Sequence, residues 1–150
     1  NDHGINMISL VDTPGFMVGP DSEEEGAVRR MSKLFESSSR FKNFLIAIFI
    51  RKASGLGAQA IVGGSLHRPT FSCAWPSGEF GGMGIEGAVK LGYRKELEAI
   101  DDVEERNNLF NKLVDKMYEA GQEIQAATFL EIDAVIDPAK SRETILKAIK

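Results

Sequence analysis

The 150 residues predict an α/β fold, on three observations. Two short apolar runs, residues 7–11 and 44–50, read as strands, and the second carries no polar residue at all. A strand covered on both faces has that character. Segments with helical spacing lie between and after these runs, so strand and helix alternate through the first half. The second half is mainly helical, and the whole reads as one domain with a helical C-terminal portion.

Each element follows from local signals. The run 7–11 stops at Asp12-Thr13-Pro14-Gly15, a cluster of turn residues. Asp21 or Ser22 caps a helix whose first turn holds Glu23, Glu24 and Glu25, where acids suit the positive helix end. That helix runs to about residue 37, with Val28, Met31, Leu34 and Phe35 on one face. After the strand 44–50, Arg51-Lys52-Ala53-Ser54-Gly55-Leu56-Gly57-Ala58 turns into a short helix of small residues that ends near Gly63-Gly64. Two short strands are expected at 71–75 and 80–83, and a helix at 86–91. From residue 96 onward the pattern is helical. A segment 104–120 places Leu109, Leu113, Met117 and Ala120 on one stripe, and a second helix covers 122–129. Residues 134–136 form a last extended piece, and Asp137-Pro138 opens a terminal helix with proline in its first turn.

Composition removes several function classes. The chain is 43% hydrophobic and 27% charged, as in an ordinary globular protein. A net charge of −4, with scattered Lys and Arg, speaks against nucleic acid as a partner. Two histidines make a multi-histidine metal site unexpected. The run 44–50 is far too short to span a bilayer, so no membrane association is expected. A single cysteine, Cys73, allows no intrachain disulfide and suits a reducing compartment. Residues 1–6 lack an initiator Met and lead at once into a strand, so the chain is expected to be part of a longer polypeptide.

Three segments could carry chemistry. Asp12-x-x-Gly15 after a strand resembles the magnesium-binding motif of GTPases. That class also needs a phosphate loop ending in Gly-Lys-Ser/Thr, which this chain lacks; the plain alternative is a tight turn. At Gly55-Leu56-Gly57-Ala58 a buried strand delivers the chain into a helix start, whose first backbone N–H groups have no intrahelical partners. Glycines keep side chains away from those donors. Two N–H groups aimed at one point, backed by the helix dipole, would stabilise an oxyanion, although such turns also bind phosphate or simply permit close packing. Trp75-Pro76 with Gly81-Gly82-Met83-Gly84 is either a packed Trp beside a close backbone crossing or a flat surface for an acyl or ring ligand. His67 is expected to be a loop histidine with no carboxylate placed to orient it. Cys73 is expected to be a core residue.

The order of these segments resembles a known family. Asp12-Thr13-Pro14-Gly15-Phe16-Met17-Val18-Gly19, Glu25-Gly26, then Arg30 and Lys33 on a helix, is similar to the C-terminal half of carboxyltransferase subunits. These are the subunits of acetyl-CoA, propionyl-CoA and methylcrotonyl-CoA carboxylases and related decarboxylases. Arg51-Lys52-Ala53, Ala74-Trp75-Pro76, Met83-Gly84-Ile85-Glu86-Gly87-Ala88-Val89 and Asp133-Ala134-Val135-Ile136-Asp137-Pro138, with Arg142, continue the likeness across almost the whole chain.

The resemblance implies a crotonase-like ββα spiral in which residues 1–150 are the C-terminal domain of a longer subunit whose N-terminal half is absent. It implies transfer of a carboxyl group from carrier-bound carboxybiotin to the α-carbon of a short acyl-CoA, of acetyl or propionyl type, without a metal in this domain. A biotin-dependent decarboxylase or a non-catalytic assembly subunit of the same fold are the alternatives. The biotin-side oxyanion hole falls on the backbone N–H groups of Leu56 and Gly57, with Gly55, Ala58 and Gln59 beside the biotin or acyl group. Family members usually carry glycine or alanine at the two donor positions and often an aromatic residue where Ser54 stands, so Leu56 and Ser54 are departures. A second oxyanion hole comes from the N-terminal half, across the dimer interface of a homo-oligomer, so residues 1–150 alone are expected to be inactive. The implied partners are biotin carboxyl carrier protein and biotin carboxylase, and the implied location is the cytoplasm, or the mitochondrial matrix in a eukaryote.

Overall fold

A central strand with apolar residues on both faces organises the computed structural model, which describes residues 3–149. The elements in chain order are β1 (Met7–Thr13), α1 (Pro20–Glu24), α2 (Ala27–Ser39), β2 (Leu45–Ser54), α3 (Gly55–Ile61), β3 (Phe71–Ala74) and β4 (Glu79–Gly81). There follow α4 (Ile85–Gly92), α5 (Arg94–Glu98), α6 (Val103–Ala120), α7 (Glu123–Thr128), β5 (Ala134–Val135), a 3₁₀ turn (Pro138–Lys140) and α8 (Ser141–Ala148). The strands form one sheet in the order β1-β2-β3-β5, and every ladder is parallel. On the edge of β2 away from β1, β3 pairs as far as Phe49↔Ala74, and β4 takes over from Lys52↔Glu79.

Residues of β2 alternate between two cores, which is why its sequence is apolar without a break. Ala47, Phe49 and Ala53 face a cluster with Val11, Ala58, Val62, Ala126 and Ile132. Ile46 and Ile48 face the other side with Cys73, where Trp75, Ile136 and Ile145 pack against them. Leu45, Ile46, Ile48 and Phe49 are at most 1% exposed. Burial of each such side chain contributes about 1.5–3 kcal/mol, so β2 alone carries a large share of the stability.

The structure corrects several expectations in detail. β1 was expected to be buried, but it lies at the sheet edge, and only Ser9 and Val11 point into the core while Ile8 (46% exposed) and Leu10 (61%) face outward. The single helix after residue 21 is two helices, because Gly26 takes a left-handed φ of 74° between them. β2 runs four residues past Ile50, into the Gly-rich turn. β3 stops at Ala74, β4 begins at Glu79, and β5 is two residues long. The terminal helix is preceded by a separate 3₁₀ turn, whose first N–H groups are met by Asp137: Ala139 N donates to Asp137 Oδ1 at 2.9 Å. The stripe Leu109, Leu113 and Met117 lies on α6 as expected, yet no residue of that helix is fully buried.

The end of α7 holds the one non-glycine residue with positive φ among the described residues, Leu130 at 60°. Leu130 N donates to Ala127 O at 3.0 Å and Glu131 N to Ala126 O at 2.9 Å. That bond pair closes a helix with a left-handed residue, a place where glycine is usual. The Leu130 side chain is 78% exposed and brings little packing in return. Leu130→Gly should therefore stabilise the chain, by up to about 1 kcal/mol, seen as a higher urea midpoint at an unchanged slope.

Candidate functional site

The Gly-rich turn is built by the way β2 ends. β1 and β2 stay in step from Met7↔Leu45 to Val11↔Phe49, and then resume at Thr13↔Ala53. One residue of β1, Asp12, thus stands opposite three of β2, a surplus of two. The surplus falls at residues 50–52, where the other edge of β2 also changes partner from β3 to β4. Asp12 fills the gap on the β1 side: Lys52 N donates to Asp12 Oδ1 at 3.1 Å, while Arg51 donates from Nε to Oδ1 at 3.3 Å and from Nη2 to Oδ2 at 3.1 Å. Ser77 fills it on the other side, its Oγ donating to Ile50 O at 2.5 Å. The Asp12 carboxyl lies below its ordinary range, chiefly through the Arg51 hydrogen bond. Its role in this structure is an ion pair at a strand irregularity, so the magnesium-motif reading of Asp12-x-x-Gly15 has no support here. Gly15 N donates to Thr13 Oγ1 at 3.2 Å, which tightens the turn that follows.

Beyond the irregularity, three segments that are far apart in sequence meet without room for a side chain. Gly55 has φ 56°, and a Cβ there would stand 2.6 Å from Gly82 O. A Cβ on Gly57 would stand 2.8 Å from Gly15 Cα and 3.1 Å from Phe16 N. The turn after β1, the start of α3 and the Gly81-Gly82 turn after β4 are therefore in backbone contact around residues 55–57.

The start of α3 itself is left open electrostatically. Ser54 precedes it in an extended conformation and its side chain does not cap the helix, nor does α3 carry an acid in its first turn. By contrast α1, α4, α5, α6, α7 and α8 all place acids there. Positive partial charge on the first N–H groups of α3 is thus not neutralised by a cap or an acid of that helix itself, a state it shares with α2. Among the candidate residues, Leu56 is 60% exposed, Gly57 is buried, and Gly55 and Gln59 are half-buried. Ala58 is buried in the first core cluster, so its methyl group faces the core, and only its backbone is available at the turn.

A cavity of about 40 Å³ opens beside this junction, with Pro14, Lys52, Ser54, Met83, Glu86 and Tyr118 in its wall. It has room for a small number of waters. Tyr118 Oη donates to Glu86 Oε1 at 3.0 Å. The Glu86 carboxyl is held below its ordinary range first by its own backbone N–H and then by Tyr118, and the same bond raises the Tyr118 phenol. Sequence reasoning missed Lys52, Glu86 and Tyr118 as neighbours. They come from a strand end and two different helices, so no local spacing announced them. Among the described residues, no group of three or more His, Cys, Asp or Glu side chains is placed to hold a metal ion, and no helix is long and apolar enough to cross a membrane.

The remaining candidates are structural. Trp75 packs against the second core, and its Nε1 donates to Ser141 Oγ at 2.9 Å, tying β3 to α8. Asp133 closes the β3–β5 ladder, receiving Ser72 N at 2.7 Å and Ser72 Oγ at 3.2 Å on Oδ2. His67 differs from expectation: Glu131 Oε2 lies 3.3 Å from its Nε2, at an exposed site remote in sequence. Cys73 is fully buried, and desolvation, with a smaller contribution from Asp133, pushes its thiol up to about 11.

A protein-family model described as carboxyl transferase domain matches residues 1–150. The propionyl-CoA carboxylase carboxyltransferase subunit of Haloferax mediterranei is 33% identical over 147 residues, which are 97% of this chain and 28% of that protein. Among solved structures, a single-chain, multi-domain long-chain acyl-CoA carboxylase superposes with a TM-score of 0.84 at 51% identity, covering 97% of this chain and 14% of that one. The transcarboxylase 12S hexamer, crystallised with methylmalonyl-CoA and methylmalonic acid, superposes with a TM-score of 0.83 at 32% identity, over 97% and 28% of the two chains. This chain therefore spans less than a third of the length of each of these three proteins.

Two measurements test the architecture of the junction. Gly57→Ala and Gly55→Ala should each cost about 1–3 kcal/mol of unfolding free energy, because the added methyl group meets backbone. Gly82→Ala, where a Cβ meets nothing within 4 Å, should stay within about 0.5 kcal/mol of the parent. Cys73 should resist a thiol reagent such as dithionitrobenzoate at pH 8 until denaturant is added, because the reactive species is the thiolate.

Proposed function

Because this chain belongs to the carboxyl transferase domain family, we propose that it carries the biotin-side half of an active site that moves a carboxyl group between carrier-bound biotin and the α-carbon of an acyl-CoA. The crotonase-like α/β fold expected from the sequence is the fold of its structural relatives. The observation that carries the proposal is the start of α3, which has neither a side-chain cap nor an acid in its first turn. Neutral backbone donors at a dipole-positive end suit a group on which negative charge develops during reaction.

Carboxybiotin, when bound, supplies the carboxyl group and then the nitrogen that takes the acyl α-proton. The chain's own contribution is electrostatic and positional. Leu56 and Gly57 offer their N–H groups to an oxygen acquiring negative charge. Gly55 supplies the left-handed corner that brings the chain from β2 into that turn, and Ala58 and Gln59 follow within the same helical turn. Leu56 departs from the small residues usual at this position, but a backbone donor survives a change of side chain, and an exposed Leu56 leaves the turn itself unobstructed. No side-chain nucleophile or general base is needed from this segment. The enolate of the thioester requires a second donor set, supplied by the rest of the subunit across an interface between copies. Biotin carboxyl carrier protein and a biotin carboxylase component are the partners this chemistry calls for. Reducing conditions, in the cytoplasm or a mitochondrial matrix, suit the lone buried thiol.

Acyl length has two readings. A short substrate, of acetyl or propionyl type, follows the propionyl-CoA carboxylase relative. A long-chain acyl-CoA follows the 51% identity with the long-chain acyl-CoA carboxylase. The full-length protein, assayed with free biotin against carboxylated acyl-CoAs from malonyl to long-chain, should decarboxylate at least one of them. Its chain-length profile decides between the two readings, and inactivity of the folded protein on the whole panel refutes the proposal. Residues 1–150 alone should show no turnover.

A further inference from the structure

We infer that Asp12 is a positioning residue, whose carboxylate fixes the two-residue surplus of β2 and thereby the orientation of residues 54–57. The inference rests on the functional reading of that turn given above.

The argument begins with the ladder. A parallel strand that gains two residues between Phe49 and Ala53 loses its regular partners there on both edges. Backbone groups at such a break need other partners or they cost free energy. The structure answers with two side chains. Asp12 receives Lys52 N together with two nitrogens of Arg51, and Ser77 donates to Ile50 O. Two residues after Lys52 the chain reaches Ser54 and the left-handed Gly55, whose angle of entry is set by how the surplus is folded away. The other constraints on the turn, Gly82 O against Gly55 and Gly15 against Gly57, are contacts of closest approach. They resist compression but do not pull. Asp12 and Ser77 supply the attractive, directional half of the restraint. Asp12 does not touch a reacting atom in this reading; it acts through the Lys52 amide, with the Arg51 ion pair as a secondary brace on its carboxylate.

The two roles of the carboxylate are separable. Asparagine keeps an oxygen to accept the Lys52 N–H but cannot form the ion pair with Arg51, whereas alanine removes both. If the amide bond positions the turn, Asp12→Asn should rescue most of what Asp12→Ala loses. In the full-length protein, biotin-dependent decarboxylation should show kcat at least tenfold lower for Asp12→Ala. The KM for acyl-CoA should stay within about twofold, because Asp12 itself touches no substrate in this reading. Asp12→Asn should remain within about threefold of the parent. Ser77→Ala, at the opposite edge, should show a smaller loss of the same kind. Backbone amide hydrogen exchange at residues 55–58 should be faster in Asp12→Ala and near the parent rate in Asp12→Asn. A folded Asp12→Ala protein with parental kcat and parental exchange overturns the inference, and so does an Asp12→Asn protein as impaired as Asp12→Ala. If Asp12→Ala does not fold, the inference stands or falls on Ser77→Ala, whose exchange at 55–58 must rise and whose kcat must fall. If the parent protein decarboxylates no acyl-CoA, the functional reading fails instead, and the exchange comparison alone decides whether Asp12 positions the turn.

Discussion

Two backbone crossings with no room for a methyl group set how closely the segments of the site region can approach. Gly57 lies against Gly15, and Gly55 against the carbonyl of Gly82. Each joins residues more than twenty-five positions apart, and together they bring the ends of β1, β2 and β4 to one place. Such contacts act by exclusion: any side chain at those positions must displace main chain, which a packed interior resists. Much else follows from them. β2 must deliver its last residue at one height and angle, and the surplus residues before Lys52 must be folded away without loosening that delivery.

Electrostatics adds a second layer. Among the described residues, six of the eight α-helices carry an acid in the first turn, α2 and α3 being without one. That arrangement neutralises the helix start and favours the isolated helix by a few tenths of a kcal/mol to about 1 kcal/mol. α3 forgoes this contribution and also lacks a side-chain cap. A helix start left without compensation, at the point where three glycine turns converge, is where a folded chain can offer unspent donors to something else.

Much of this was legible in the sequence. β2 announced itself as an apolar run because both its faces are buried. The strand-to-helix turn at Gly55–Ala58 announced itself as a turn because a buried strand runs there into glycines and small residues, a pattern that left oxyanion binding, phosphate binding and close packing all open. The family resemblance, carried by five collinear motifs, agreed with the matches to known proteins. Other features were hidden for physical reasons. β1 looked buried because an edge strand and a central strand share the same apolar vocabulary, and only the sheet order tells them apart. The pairing of Asp12 with Arg51 and Lys52 depends on a register shift that no single segment encodes. The Tyr118–Glu86 bond and the Glu131–His67 contact join residues 32 and 64 positions apart, at exposed sites where composition is uninformative. Leu130 in a left-handed corner reads, in sequence, as an ordinary apolar residue near a helix end.

The ladder between β3 and β5 has a consequence for how the molecule is made. Cys73 pairs with Ala134, and Asp133 bonds Ser72 across 61 residues. The second core also draws on Ile145 and Ala148. A ribosome therefore releases β1, β2 and β3 well before the residues that cover one face of them exist. During that interval Ile46, Ile48 and Cys73 lack the cover that Ile145 and Ala148 bring, and at roughly 5–20 residues per second the interval lasts seconds. The nascent chain is most exposed to sticking or to chaperone capture in the window between synthesis of residue 75 and synthesis of α8. A truncation that removes the last turns of α8 would extend that window indefinitely.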